Sequence, residues 1–300
     1  MPSTQEFRRR IKSVNNTKQI TKAMEMISSI KMQKSVKMAG QARSYIQNAW
    51  NMLGKMAGLV LPADNPLVAK RAGQKTAVIL ITSDRGLCGS YNSEVIKKLT
   101  QFAHSESMIH DSRVDIIAIG KVGAEYVRRY QLGNLVAEFN GFESNIDFEE
   151  IIPISKLTNG EFLAGKYDKV MLIYSHFESS LKQTAVAKQL LPISDEHIDH
   201  PELWEKSEDP LAASQKEFKF EPSPEKVFDG ILIQILRTQI YGAVLEANAS
   251  EHSARMVAMK NATDNASSLI DELKLIYNSV RQGNITSEIA EISGAAESMK

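Results

Sequence analysis

From Glu225 to Lys300 the chain contains no proline, and apolar residues recur through it at intervals of three and four. Such a run specifies helix. Its start is marked, because Ser223 can cap, Pro224 suits the first helical position, and Glu225 places a carboxylate where the helix dipole is positive. Unbroken, at about 1.5 Å per residue, this helix would be roughly 110 Å long, more than a compact domain holds. The rest of the chain is expected to be arranged around it.

A second long helix is expected at the other end. Ser3-Thr4-Gln5-Glu6 has the form of a capping box, and no proline follows before Pro62. Phe7, Ile11 and Val14, and further on Met38, Ala42, Tyr45, Ala49, Met52, Met56 and Leu59, step by four and three as a heptad seam does. Between them a strict heptad from Met24 and Ile27 arrives at Lys31 and Lys34, so loose pairing is expected there. Met24, Met26, Met32 and Met38 fit flexible packing along a helix better than a dedicated binding face. Near the other terminus Ala262, Ala266, Leu269, Leu273, Ile276 and Val280 keep the same alternation, which makes the two ends natural partners. A first arm of roughly 55 residues leaves about 20 residues of the second, some 30 Å, without a partner. Ile285, Ile289 and Ile292 share one face of that surplus, which a free helix in water would disfavour, so another protein is expected to sheathe it.

After the loop Leu61 to Pro66 the pattern becomes α/β. Thr76–Thr82, Val114–Gly120 and Lys169–Tyr174 are apolar, β-branched runs of the length of strands covered on both faces, and Gln183–Leu190 suggests a fourth. Helices are expected over Asn92–Phe102, Val122–Tyr130 and, despite Pro153, Phe148–Leu157; this alternation implies parallel strands with crossovers. A short strand, Glu217–Phe220, would lead into the last helix. The expected class is therefore α/β: a long antiparallel two-helix coiled coil formed by the N- and C-terminal helices (1–60 and 222–300), with a Rossmann-like α/β domain (61–221) inserted. A polar, acidic loop near 192–213 is long enough to be mobile.

Cys88 is the only cysteine, which excludes an internal disulfide and a multi-cysteine metal site and fits a reducing compartment. The chain start lacks the apolar core of a signal peptide, and no stretch approaches the ~20 apolar residues that span a bilayer. Charge sums to zero but is unevenly spread. Arg8, Arg9, Arg10, Lys12, Lys18, Lys22, Lys31, Lys34 and Lys37 crowd the first helix against only Glu6 and Glu25, whereas Asp195 to Glu225 is acidic. Without interleaved aromatics, the basic helix points to solvent or an acidic protein surface, not to nucleic acid.

Ser83-Asp84-Arg85-Gly86-Leu87-Cys88-Gly89-Ser90-Tyr91-Asn92 lies between a strand and a helix, where a doubly wound domain would bind phosphate. The run matches neither G-x-G-x-x-G nor the P-loop and lacks the phosphate-reaching lysine. A tight turn, with Gly86 and Gly89 supplying backbone freedom and Cys88 a packing residue, is the plainer alternative. His197 and His200, and His104 and His110, lack the companions a metal site needs. No catalytic, cofactor-binding or metal-binding residue is therefore expected.

Three stretches carry a family resemblance: Asn15-Asn16-Thr17-Lys18-Gln19-Ile20-Thr21-Lys22-Ala23-Met24-Glu25-Met26, Ser83 to Gly89, and Ala254 to Ala266 continued by Tyr277-Asn278, Arg281-Gln282 and Ile285 to Ile289. With them the chain resembles the gamma subunit of F-type ATP synthase, of bacterial type, over essentially its whole length. The resemblance implies a non-catalytic central-stalk rotor, a single copy inside a ring of alpha and beta subunits. It further implies an α/β domain near the epsilon subunit and the membrane c-ring, and proton flow that turns the stalk and drives the beta sites through their conformations. It implies polar contact of Arg281 and Gln282 with a beta-subunit loop, Thr286 and Glu288 in the same zone, and Met24 and Arg255 where coupling is sensitive. Phe218 and Phe220 match a region near epsilon and the c-ring, where tyrosines are common. The chain lacks the paired-cysteine insertion of the plastid form and has no transit sequence before the first helix, so a peripheral place on the cytoplasmic face of a bacterial plasma membrane is expected. A non-catalytic coiled-coil scaffold with an α/β recognition domain, and an enzyme binding phosphate at Ser83 to Asn92, are the competing classes.

Overall fold

The computed structural model describes residues 4–56, 65–69, 71, 73, 75–105, 114–142, 146–193 and 220–298. Helix α1 (Thr4–Met56) comes first and helix α5 (Pro224–Ser298) last. Between them run β1 (Thr76–Ile81), α2 (Tyr91–Ser105), β2 (Val114–Ile119), α3 (Lys121–Tyr130), β3 (Asn134–Phe139), α4 (Phe148–Leu163), β4 (Lys169–Phe177) and β5 (Gln183–Leu191). The chain divides into two compact units, Met1–Ser29 with Arg255–Lys300, and Ile30–Ala254.

In the larger unit the strands form one sheet of order β3-β2-β1-β4-β5, with β1, β2, β3 and β4 parallel and β5 antiparallel to β4. Successive residues of a strand point to opposite faces, so each inner strand supplies two cores. Ala77, Ile79, Ile81, Ile117, Ile119, Val170 and Leu172 face one cluster with Ile46, Trp50 and Leu53 of α1, Ile151, Ile154 and Phe162 of α4, and Phe228, Leu232, Ile235, Leu236 and Ile240 of α5. Val78, Leu80, Val114, Ile116, Met171 and Ile173 face the other, against Val95 and Leu99 of α2 and Val127 of α3. The α5 residues recur at steps of four and three, and burying each contributes about 1.5–3 kcal/mol.

Two features of this unit go beyond the sequence expectations. Asn134–Phe139 is a strand that its sequence barely announces: it lies at the sheet edge, only partly buried, and Glu138 interrupts its short apolar run. The run after β4 does not continue the parallel pattern, because β5 returns through a tight turn in which Glu178 and Ser179 N–H groups donate to the Lys182 carbonyl. Helix α4 extends to Leu163; Pro153 lies near its start, so only one early backbone bond is forgone. Ser223 caps α5 as expected, its Oγ accepting the Lys226 N–H at 3.4 Å. Ser3, the expected strand before Phe220, and most of the acidic 192–213 loop lie outside the described residues; Phe220 itself is not in a strand.

In the smaller unit the two helices pair. Thr21 and Thr263 share a hydrogen bond between their hydroxyls at 2.8 Å, and Arg8 Nε donates to the Tyr277 hydroxyl at 2.9 Å. Moving down α1 from Thr21 to Arg8 thus corresponds to moving up α5 from Thr263 to Tyr277, which is an antiparallel pairing. The buried line on α5 is Met259, Thr263, Ala266, Ile270 and Leu273, with Tyr277 half-buried. Leu269 and Ile276, expected in the seam, are exposed. Both phases keep a step of three and four and share Ala266 and Leu273. The observed one gains the Tyr277 hydroxyl's bond and the stacking of Arg8 over the Tyr277 ring.

Along α1 the buried positions include Phe7, Thr21, Ser28, Ser35 and Ala42, spaced by multiples of seven. The seam is therefore maintained where an apolar pattern from Met24 and Ile27 predicts dilution; Ile27 is 54% exposed, and small hydroxyl residues occupy the line instead. In the larger unit Ile46, Trp50 and Leu53 are buried, while Tyr45 and Met52, placed in the seam from sequence, are exposed.

Candidate functional site

The turn after β1 is built from its own side chains. Asn92, in the first turn of α2, reaches back so that its Oδ1 accepts the Ser83 N–H at 3.0 Å and its Nδ2 donates to Ser83 Oγ at 2.7 Å and Cys88 Sγ at 3.2 Å. Cys88 is only 2% exposed, a packed thiol with no route to a substrate. Leu87 (φ 62°) and Gly89 (φ 58°) take left-handed backbone angles, which Gly89 adopts freely and Leu87 does not. Leu87 is nonetheless 65% exposed, so this strained turn presents an apolar side chain to the outside.

Asp84 closes the sheet crevice from within. Its Oδ1 accepts the N–H of Lys121, the first residue of α3, at 3.1 Å, and its Oδ2 accepts the Gly141 N–H beyond β3 at 2.7 Å. A carboxylate here satisfies the positive end of α3, where a phosphate would otherwise be attracted. The cavity beside it, lined by Thr82, Asp84, Gly120, Phe142, Asn248 and Glu251 among others, has a volume of about 10 Å³. That is room for about one water and not for a nucleotide. Gly120 (φ 98°) also admits no side chain, because a Cβ would collide with the Thr82 carbonyl.

Beside the crevice, α5 is held by polar groups that sequence reasoning missed. Asn248 Nδ2 donates to the Phe142 carbonyl at 2.5 Å, Ser250 Oγ to Ser175 at 3.0 Å and Ser253 Oγ to Ser180 at 2.6 Å. The Tyr241 hydroxyl donates to the Ile146 carbonyl at 3.2 Å. Glu246 receives His176 Nδ1 at 2.7 Å and Arg43 Nη2 at 3.2 Å. The sequence did carry a signal: polar residues crowd positions 246–253 of a helix that is otherwise apolar on its packed side. Carbonyls of β4 and of the segments joining the strands need donors, and these residues supply them.

The residues singled out from sequence are dispersed. Met24 is half-buried and Arg255 buried, whereas Arg281, Gln282, Thr286 and Glu288 are exposed. Continuing the antiparallel register, Thr4 falls opposite about residue 281, and residues 281–295 are exposed throughout. Ile285, Ile289 and Ile292 are 47%, 60% and 67% exposed, and the Thr286 hydroxyl is turned inward to the Gln282 carbonyl at 2.9 Å. Phe220 packs, half-buried, against the larger unit's core; Phe218 lies outside the described residues, as do His110, His197 and His200. His104 bonds within its own helix to the Thr100 carbonyl. Among the described residues no group of three or more His, Cys, Asp or Glu could hold a metal ion, and no helix is long and apolar enough to cross a membrane.

A pair of long helices whose last end is exposed, and a sheet crevice filled by its own aspartate, define a protein of the α/β class with long terminal helices. The family described as ATP synthase matches residues 3–299. The gamma chain of Roseiflexus sp. strain RS-1 is 41% identical over 300 residues, covering 99% of this chain and 98% of that one. The gamma chain of Pelotomaculum thermopropionicum is 38% identical with both chains fully covered. Among solved structures, a chain of the Tetrahymena thermophila mitochondrial ATP synthase central stalk and c-ring is 26% identical with a TM-score of 0.59, over 81% of this chain and 99% of that one. A chain of the Euglena gracilis mitochondrial OSCP/F1/c-ring assembly, 17% identical with a TM-score of 0.66 over 99% and 94%, shares the fold. The chain belongs to the ATP synthase gamma chain family.

Proposed function

We propose that this chain is the central-stalk rotor subunit of a proton-translocating F-type ATP synthase. It couples rotation of the membrane c-ring to the conformational cycling of the catalytic beta subunits, in ATP synthesis or hydrolysis. The supporting observation is a full-length match to gamma chains in a molecule whose last helix leaves three isoleucines exposed beyond its partner helix. The related solved structures are of a central stalk with a c-ring and of a rotor, which supports the same reading.

The role requires no catalytic group here. A rotor transmits free energy by touching the different states of its neighbours unequally, so what matters is an asymmetric surface on a stiff support. Arg281 and Gln282 are the proposed polar contacts with a beta-subunit loop, with Thr286 and Glu288 in the same zone. Met24 and Arg255 lie where coupling is sensitive. Phe218 and Phe220 are the proposed contacts with the epsilon subunit or the c-ring. The proposed organisation is a helix over 1–60, an α/β domain over 61–221 and a helix over 222–300. A single copy sits among alpha, beta and epsilon subunits and the c-ring, on the cytoplasmic face of a bacterial plasma membrane. Native mass measurement of the complex purified through a tag on this chain tests the assignment. One copy accompanied by alpha and beta subunits is expected, and a stable homodimer lacking them would overturn it.

A further inference from the structure

Glu246 sits where three parts of the larger unit converge. Its carboxylate bridges Arg43 of α1 at 3.2 Å and His176 of β4 at 2.7 Å, and lies beside Tyr174 of β4 and Lys188 of β5. Glu178, further along β4, also faces His176. One carboxylate on α5 thus bonds two basic side chains, Arg43 on α1 and His176 on β4, with Lys188 of β5 within its electrostatic reach. We propose that the Glu246–His176 pair is a proton-responsive joint, which fastens α5 to the β4–β5 hairpin firmly when His176 is charged and less firmly when it is neutral.

The charges in the cluster set the direction. The hydrogen bond to Glu246 holds His176 above the usual imidazole value of 6.5, against the opposing effect of burial. Burial pushes Glu246 up, but His176 and Arg43 outweigh it, so the carboxyl stays below its usual range and remains ionised through neutral pH. Burial lowers Lys188 and raises Tyr174. A histidine raised on folding contributes stability that is complete below its unfolded value and is lost as pH climbs through its folded value. The joint is therefore tight below about pH 6.5 and relaxes as pH climbs through the raised midpoint of His176. Arg43 keeps Glu246 tied to α1 throughout, so loosening is confined to the sheet side. A neutral imidazole can still donate to the carboxylate, but it lacks the Coulomb attraction of the ion pair, so the bond is weaker.

The test uses the full-length chain, with the His176 imidazole followed by NMR across pH and assigned by its disappearance in His176→Gln. Its midpoint is expected above 6.5 and is expected to fall in Glu246→Gln. From about pH 6 to pH 9 the parent's Tm should drop roughly 2–4 °C further than that of His176→Gln. Because Lys188 is present in both proteins, that difference reports His176 alone. A midpoint at or below 6.5, or parallel Tm profiles in parent and His176→Gln, overturns the proposal. If Glu246→Gln fails to fold, the parent and His176→Gln comparison decides alone.

Discussion

Gly120 has a backbone angle that L side chains rarely adopt, and a Cβ there would meet the Thr82 carbonyl. Gly120→Ala therefore has to strain the β2–α3 junction or push β1 aside, and should cost about 1–3 kcal/mol or more in urea unfolding. Asp84 is nearby but does a different task, satisfying two backbone donors. Thr21 and Thr263 give the cleaner contrast, since their hydroxyls meet across the helix pair. Removing one hydroxyl as Thr21→Val takes the partner across the helix pair from the buried Thr263, which keeps only its bond to the Met259 carbonyl, at about 1 kcal/mol. Changing both to valine should restore most of that loss, so a double-mutant cycle from chemical denaturation should show positive coupling.

At the scale of elements, the seam phase separates two neighbouring residues of similar size. Ile270 is buried and Leu269 is exposed. Ile270→Ala should cost about 2–4 kcal/mol and Leu269→Ala less than about 1, measured as thermal or urea stability of the same chain. A larger loss for Leu269→Ala than for Ile270→Ala would mean the phase inferred from the sequence was the right one. These positions also show how far a sequence can be read. The existence of both long helices was legible because nothing in them opposes helix, and the start of α5 is marked by Ser223 and Pro224. The seam phase was not, because Leu269 and Ile270, like Ile276 and Tyr277, are both apolar, and only the partner helix chooses between them. The Thr21, Ser28 and Ser35 line was illegible to an apolar search for a simpler reason: small hydroxyl residues pack between helices by bonding back to their own backbone, as Thr21 does to Lys18. Strands buried on both faces were readable as apolar runs, whereas β3 needed its neighbour β2 to become a strand. The candidate site was legible as an unpartnered helix end and a non-matching phosphate turn. That Asp84 fills the turn's anion position could be learned only from where Lys121 and Gly141 lie.

At the scale of the whole molecule, the predictions concern transmission. Met24 is half-buried on a strongly basic helix, and under the proposed rotor role, with Met24 at the coupling zone, a lysine there would add a cation that opposes turning. Met24→Lys in the assembled complex should lower the protons pumped per ATP hydrolysed, measured by fluorescence quenching in vesicles beside phosphate release; equal ratios in mutant and parent would reject this. Truncation after Val280 removes the exposed apolar end while leaving the helix pair, so it should weaken assembly with alpha and beta subunits more than it lowers the chain's own stability. The most direct measurement places a gold bead on a cysteine introduced as Lys97→Cys on α2, with Cys88 too buried to compete, in the complex fixed to glass by its beta subunits. If this chain is the rotor, ATP drives the bead in one direction in discrete steps; a bead that remains still while the same molecules hydrolyse ATP would contradict it.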